Sequence, residues 1–544
     1  MASSSSEEKV DIVKDEIYVP PSIIKVEGGH GASETVKLDR AKVKEARNAA
    51  FAAAVEKGGT DPWSKSTFVI YACAAAAFMC SCGNGYDGSL MTAINGMAPY
   101  QDRFNQGRLD VSTGIIFSIY TIGQMAGSLW AGPLCDRYGR RAGMFTGCLI
   151  IMIGSAIISS SMARSQFIAG RFILGMGIAV ATIGAPTYTV ECAPPQWRGR
   201  LTSLYNTGWN GGAIPAAAIT LGTSRLTSDW SWRIPLIVQA VPATLVVLTV
   251  WFLPESPRWL YFRGRQQEAF DFLIKYHGNG DPNNPIVKLQ IAEFTENIKL
   301  DGSDKRWWDF KALVATHNAR WRALMVFLMG FFGQMSGNGL GYFNLSIYKA
   351  LGFDTQMQFN MNLIGSCINA AVAWYAVSLE DRMPRRKVLV IGTLLCSVLL
   401  AANAANSTQN LNIGRAGAAF FFLFGVAYAF TYTPLQSLYP AECLETTTRA
   451  KGVSMKIFII SCTSFINLFC TPIAYGVIGW KYILVFVFWD AFEAVVWYFL
   501  CVETVGFTLE ELQEIFDAPN PPAASQRKKK VAIKETGDVL VLEE

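Results

Sequence analysis

Two charged side chains stand where the surrounding sequence should exclude them. Asp87 closes a long apolar run, in Gly85-Tyr86-Asp87-Gly88, and Arg171 interrupts another. A carboxylate in such surroundings is costly unless it is paired or protonated, and burial favours its neutral form. Such a group suits proton binding and release, or a static ion pair with an arginine. A second acidic pair, Asp490 and Glu493, falls one helical turn apart in the last apolar run. Both carboxyls then share a helix face and need a partner or a polar cavity. Lys456 in the preceding run is a candidate partner, and packing or gating is the favoured role, with a second proton site as the alternative.

These residues need helices to hold them. The chain has 544 residues, 51% hydrophobic and only 16% charged. Soluble domains carry about 25% charge. The charge here is segregated into short connectors between long apolar runs, as in a helical membrane protein. Crossing a ~30 Å hydrocarbon core takes about 20 helical residues. Spans are expected at 68–92, 112–131, 143–161, 167–189, 201–222 and 233–253. A polar stretch over 257–318 follows, then spans at 322–346, 358–379, 387–406, 413–437, 453–476 and 481–501. The first 65 residues are polar and show no signal peptide; Leu38 to Lys57 reads as part of a solvated tail, with a short surface helix as the alternative. The expected organisation is a tail (1–65), a six-helix bundle (66–256), a linker with short helices (257–320), a second six-helix bundle (321–502) and a C-terminal tail (503–544).

Orientation follows from basic residues in short loops. Arg137, Arg140, Arg141, Arg198, Arg200, Arg382, Arg385, Arg386, Lys387, Arg449 and Lys451 lie in one set of loops. The opposite set is sparser, which places both termini in the cytoplasm and the sequon Asn406-Ser407-Thr408 outside. A net charge of +5 gives no reason to expect nucleic acid. Most of the 12 cysteines lie in apolar runs and all three histidines lie outside them, so neither a disulfide framework nor a His-based metal site is expected. No nucleophile–base constellation appears in the spans, so an enzyme is not expected, nor any cofactor.

The two halves repeat. Asp136-Arg137 with Arg140-Arg141 recurs as Asp381-Arg382 with Arg385-Arg386, Glu191 with Arg198 recurs as Glu442 with Arg449, and Glu255 recurs as Glu503. The three offsets are 245, 251 and 248 residues. Acids and arginines in these loops can pair across the cytoplasmic face and with helix ends. Pairs of this kind would hold one conformation and part when the halves separate, with Glu191/Arg198 and Glu442/Arg449 as latches of an outward-open form.

The loop Gly132-Pro133-Leu134-Cys135-Asp136-Arg137-Tyr138-Gly139-Arg140-Arg141 resembles the signature of the major facilitator superfamily. Pro254-Glu255-Ser256-Pro257-Arg258-Trp259-Leu260 is similar to the sugar porter signature, and Glu503-Thr504 with Leu509-Glu510-Glu511 adds to it. The resemblance covers about residues 66 to 515. Gln334-Met335-Ser336-Gly337-Asn338-Gly339 and Trp489-Asp490 with Glu493 look most like the fungal lactose and cellodextrin permease-like subgroup. Pro384 stands where the family has Gly, Val502 precedes Glu503 in place of Pro, Val505 replaces a Lys, and Phe343-Asn344 stands where a Tyr pair is usual.

The resemblance implies an all-α membrane protein with 12 transmembrane helices in two pseudo-repeated six-helix bundles, alternating access around a midplane site. It implies a plasma-membrane symporter of a proton and a disaccharide or hexose, working as a monomer. Asp87 and Arg171 fall at the positions of the family's coupling pair, and Arg258 with Glu255 joins the gate. Sugar hydroxyls need amides that both donate and accept, and a ring face needs an aromatic platform. The chain offers Asn206, Gln334, Asn338, Asn369, Tyr432 and Asn467. Asn206 matches a sugar-binding Gln, Gln334 one of a Gln pair, Tyr432 a Trp and Asn467 an Asn. Gly123 and Gly127 permit close helix contact, and Gly337, Gly339 and Gly341 permit span 7 to bend as a gate. A passive sugar facilitator and a non-transporting sugar sensor share these features, and polyols or sugar acids fit as substrates.

Overall fold

Apolar runs of this length leave the backbone one economical solution, a helix that satisfies its own hydrogen bonds. The computed structural model describes residues 62–105, 111–301, 311–379, 383–406, 411–444, 449–505, 507, 509–526, 530–533 and 539–542. Asp381, Arg382, Ser407, Thr408 and the Leu38 to Lys57 segment lie outside the described residues, as does the side chain of Arg449.

Twelve long helices account for the twelve expected spans. The first six are α1 (Lys65–Ile94), α2 (Val111–Tyr138), α3 (Arg140–Ser159), α4 (Arg164–Cys192), α5 (Arg198–Thr223) and α6 (Trp230–Phe252). The second six are α7 (His317–Met335, continued by Asn338–Gly341 and Asn344–Ala350), α8 (Thr355–Leu379), α9 (Arg385–Asn406), α10 (Leu411–Cys443), α11 (Arg449–Ile478) and α12 (Lys481–Leu500). Among the described residues ten are apolar enough along their length to cross a membrane by composition alone. The other two, α2 and α5, are long enough at 28 and 26 residues. α5 reads as less apolar because it carries Asn206, Asn210 and several threonines. Large apolar side chains on the outer surface, among them Leu129, Phe252, Phe488 and Phe499, form the face for lipid.

The halves pack by the same scheme. α1 lies against α4 and α5, α3 against α4 and α6, and correspondingly α7 lies against α10 and α11, α9 against α10 and α12. Between the halves, α2 meets α11 and α5 meets α8, which are equivalent pairs under the repeat. The end of the bundle that carries the α2–α3 connection and the segment after α6 is called the near end here, and the opposite one the far end.

Two helices are broken. α6 is interrupted at Gln239, where Pro242 has no N–H to give to the carbonyl of Val238. α7 stops at Met335 and resumes at Asn338, with Gly337 at φ +75, a left-handed conformation that a residue with a Cβ rarely adopts. Span 7 is thus a helix with a break rather than a bend.

Three short helices, Pro257–Phe262, Gln266–Phe272 and Pro285–Asp301, follow α6 at the near end. After α12 the chain does not simply leave the bundle. The helix Leu509–Asp517 buries Leu512, Ile515 and Phe516 in the core of the second half. Phe516 lies against the Arg322 guanidinium at 4.6 Å, and Asn318 Nδ2 donates to Asp517 Oδ1 at 2.9 Å. A short antiparallel hairpin pairs Lys530–Ile533 with Val539–Leu542.

Candidate transport site and gates

At the near end each half builds its candidate gate from a carboxylate that caps a helix. The first N–H groups of a helix lack intrahelical partners and carry partial positive charge, so a carboxylate there is stabilised. Glu255 accepts from the backbone N–H groups of Arg140 (3.2 Å) and Arg141 (3.4 Å) at the start of α3. Glu503 accepts from those of Arg385 (2.9 Å) and Arg386 (3.1 Å) at the start of α9. The Arg140 guanidinium pairs with Glu191 at 3.1 Å and with Asp136 at 2.8 Å. The Arg385 guanidinium pairs with Glu442 at 2.9 Å. Ser256 Oγ donates to Glu191 and Thr504 Oγ1 to Glu442, at 2.5 and 2.6 Å. Tyr188 OH donates to Pro254 O (2.6 Å) and Tyr439 OH to Val502 O (2.8 Å).

Even the last carbonyls of α4 and α10 are matched. Cys192 O bonds His277 Nε2 at 3.1 Å, and Cys443 O accepts from Arg322 Nη1 at 2.6 Å. His277 is fully buried, with Nδ1 at 2.7 Å from Gln290. Burial holds its imidazole below the ordinary value, with the Arg198 charge acting in the same direction.

Toward the far end of the first half lies a buried charge site. Asp87 on α1 and Arg171 on α4 are 1% and 2% exposed, and Arg171 Nη1 meets Asp87 Oδ1 at 2.6 Å. Gln239, at the break in α6, donates its Nε2 to the same oxygen at 2.8 Å. The Arg171 guanidinium lies over the Tyr120 ring at 4.6 Å. Tyr120 OH donates to Asn84 and accepts from Gln124, which continues the polar chain along α1 and α2. Tyr342, on the broken stretch of α7, comes within electrostatic reach of both Asp87 and Arg171. A side chain of the second half thus lies within electrostatic range of the charge site of the first.

In the second half an amide cluster surrounds the α7 break. Asn338 Nδ2 donates to Gln334 Oε1 at 2.8 Å, and Ser464 Oγ to the same oxygen at 3.0 Å. Asn467 Nδ2 donates to the Gln334 carbonyl at 2.6 Å. Two amides, a hydroxyl and a broken backbone at membrane depth make a surface able to exchange hydrogen bonds with a polyhydroxy ligand.

Between the halves the far end is closed. Phe117 of α2 meets Phe343 of α7 with ring centroids 4.9 Å apart. Leu345 packs onto Gly96, and Phe469 of α11 onto Gly114 at the start of α2. At the near end every described ion pair stays within its own half. A cavity of about 610 Å³ on the far face is lined by Met97, Asp102, Arg103, Asp229, Thr355 and Phe359, away from both polar sites.

This arrangement has a known kin. The sugar (and other) transporter family model matches residues 73–516. The chain belongs to the sugar (and other) transporter family, within the major facilitator superfamily. It is similar to the MFS glucose transporter mfs1 of Aspergillus flavus, 27% identical across 80% of this chain and 88% of that one. It is equally similar to the quinate permease of Neurospora africana, 27% identical across 82% and 88%. Its fold matches the E. coli proton:xylose symporter XylE, with a TM-score of 0.67 at 18% identity, over 83% of this chain and 100% of that one.

Several residues of the transporter sit elsewhere than their spacing indicates. Glu191 pairs with Arg140 rather than Arg198, whose Nε has no hydrogen-bond partner among the described residues. Glu442 pairs with Arg385. Helix ends explain this: α3 and α9 begin directly beside the two glutamates, whereas Arg198 opens the next helix after a turn. Arg258 lies over Phe262 at 5.8 Å instead of on a carboxylate, and Arg137 lies over Tyr138 at 5.6 Å. Lys456 donates to the Gln436 carbonyl at 3.1 Å and so does not serve Asp490 or Glu493. Tyr432 is fully buried, its hydroxyl bonded to Ser336, Thr393 and Glu493, so its ring is no open platform. Asn369 rests against Gly425 of α10, outside the Gln334 cluster, whereas Asn206 on α5 keeps an exposed side chain.

The family departures leave the gate geometry intact. Gly139 has φ +100, and a Cβ there would stand 2.3 Å from Glu255 Oε2. Pro384 occupies the equivalent place, yet Glu503 still caps α9. Asn344 Nδ2 donates to Asn362 of α8 at 2.9 Å, tying the far part of α7 to its neighbour. Gln239 and Ser464 escaped the sequence reading. Gln239 is a single amide in an apolar run, and that isolation was the available signal.

Proposed function

We propose that the transporter is a proton-coupled importer of a hexose or disaccharide in the plasma membrane, with both termini and the near end in the cytoplasm. The observation that carries this reading is the Asp87–Arg171–Gln239 site, buried and within electrostatic range of Tyr342 of the opposite half. Protonating Asp87 removes the charge that holds Arg171 and Gln239. The Arg171 guanidinium, released from its carboxylate, then turns its uncompensated charge toward the α7 segment and the Tyr342 side chain, so protonation and the approach of α7 favour each other. Gln334, Asn338 and Asn467 bind the sugar from the second half, with Ser464 beside them, and Asn206 serves it from the first. Distribution of basic loops supports the orientation. With the far end outside, the closed contacts at Phe117–Phe343 and the divided near-end gates correspond to an inward-facing form. The gate residues Asp136, Arg140, Arg141, Glu191, Glu255, Arg385, Glu442 and Glu503 hold each half rigid while the halves rock. Membership of the lactose and cellodextrin permease-like subgroup is part of the same reading, supported by the Gln334-to-Gly339 motif.

The decisive experiment compares wild type with Asp87→Asn in proteoliposomes, using labelled glucose and lactose. Asp87→Asn is expected to abolish uptake against a gradient driven by external acid, while leaving exchange of internal for external sugar. Gradient-driven accumulation by Asp87→Asn would overturn coupling at this residue. A sugar-acid substrate is a second reading, favoured by the quinate permease among the relatives. Competition by quinate but not by glucose or lactose would establish it.

A further inference from the structure

The second half holds a buried site that the reading above does not use. Asp490 and Glu493 of α12 are both 0% exposed. Among the described residues neither Asp490 carboxyl oxygen has a hydrogen-bond partner. Glu493 accepts three: from Ser336 Oγ, from Trp489 Nε1, and from Tyr432 OH at 3.2 Å. Tyr432 OH is itself fixed by Thr393 Oγ1 at 2.9 Å and Trp497 Nε1 at 3.4 Å.

No cation pairs with either carboxyl among the described residues. The titratable groups that face them are Cys396 of α9 with Tyr428 and Tyr432 of α10, all uncharged as ordinarily found. On α11, Lys456 is turned to the Gln436 carbonyl. From α7 the facing group is Ser336, a neutral hydroxyl. Two ionised carboxylates one turn apart, out of water and without a cation, repel each other and lack solvation. One of them must hold a proton. Three donors on Glu493 can support one negative charge, and Asp490, with no donor at all, cannot support another.

Ser336 gives this pair a mechanical outlet. It is the residue between the end of the first α7 stretch and Gly337, so Glu493 grips α7 at its break. Gln334 and Asn338 of the amide cluster flank the same break.

We propose that Asp490 and Glu493 form a second proton-binding site, in the half that lacks the Asp–Arg pair, and that its occupancy steadies the α7 break through Ser336. The pair holds one proton in the form with the far end closed. Losing it places a second charge in the site, which draws Ser336 and Tyr432 into new bonds and loosens the break. The site does not depend on Asp87 carrying a proton or on the identity of the sugar.

The test needs no sugar. Full-length protein in lipid is titrated from mildly acidic to alkaline pH while infrared difference spectra follow the protonated-carboxyl C=O stretch. The Asp87→Asn background removes the first site. A band that persists in Asp87→Asn at neutral pH and disappears in Asp490→Asn/Glu493→Gln is expected. In Glu493→Gln the Asp490 band should titrate about one pH unit lower or more, because the neighbouring charge is gone. Hydrogen exchange across 334–341, corrected for intrinsic rate, should quicken about tenfold as the band is lost. Ser336→Ala should keep the band and remove that coupling. Full ionisation of both carboxyls at neutral pH would overturn the proposal. So would loss of the band on adding Na⁺ or K⁺, which would make the pair a metal-cation site. Exchange across 334–341 that ignores the band would overturn the link to α7.

Discussion

The two halves agree at their near ends and disagree in their interiors. Each gate has a glutamate capping two N–H groups, an arginine–glutamate pair, a hydroxyl on that glutamate and a tyrosine on a carbonyl. Deeper in, the first half holds an ion pair with an amide, while the second holds two acids that pair with no cation among the described residues. The gates serve the backbone ends of α3 and α9, and helix ends make the same demand wherever they occur. The deep sites answer to neighbours that differ between halves. Duplication therefore preserved what the helix termini require and left the buried charges free to specialise.

The largest expected effect tests that asymmetry. Arg171→Leu leaves Asp87 buried without its cation and should destabilise the protein by about 3–5 kcal/mol. Asp490→Asn removes no hydrogen bond and should cost under about 1 kcal/mol. Thermal unfolding in one detergent, at one pH, compares them. Equal losses would mean that both sites are ordinary buried polar contacts and would break the comparison.

Next come the gates, where equality is expected. Glu255→Gln and Glu503→Gln should each cost about 1–3 kcal/mol, since each weakens the cap of two N–H groups. The gates differ at one backbone position. Gly139→Ala adds left-handed strain of about 1–2 kcal/mol and a contact with Glu255, whereas Pro384→Gly should cost under about 1 kcal/mol. A large loss in Pro384→Gly would show that the second gate depends on its proline.

The smallest effect is in the caps of α4 and α10. One carbonyl is held by an imidazole, the other by a guanidinium that stays charged at every working pH. Burial lowers the proton affinity of His277 in the docked linker, so an undocked ring takes up a proton more readily. Docking of the linker is then fully stabilised above the free-ring value of about 6.5 and lost as pH falls through the lowered docked value. Hydrogen exchange in 266–291 should quicken in mild acid, while the helix Leu509–Asp517 should not change. The same acid response in both would refute the contrast, and His277→Asn should abolish it.

Part of this was legible from residue types and spacing. Twelve apolar runs each met the length a bilayer demands, and each corresponds to one of the twelve long helices, with α7 broken inside its run. Recurrent acids and arginines revealed the two halves and marked Glu191, Glu255, Glu442 and Glu503, which the structure places in matched clusters at the near end. Asp87 and Arg171 stood out because charge is rare in such runs, and opposite span directions put them at the same depth.

Partner choice was not legible. Glu191 lies seven residues from Arg198 and 51 from Arg140, yet it bonds the distant one. Gln239 reaches Asp87 across 152 residues because α6 breaks where it faces α1. Tyr432 has the composition of a platform, but its helix turns it into a buried network with Glu493. The sequence by itself determined which segments are helices, how they repeat and which residues carry charge into the membrane. Each of those follows from local length, period and composition. Only the tertiary structure decided which charges meet and which stay without a cation, because the rotation and packing of helices distant in the chain set those distances.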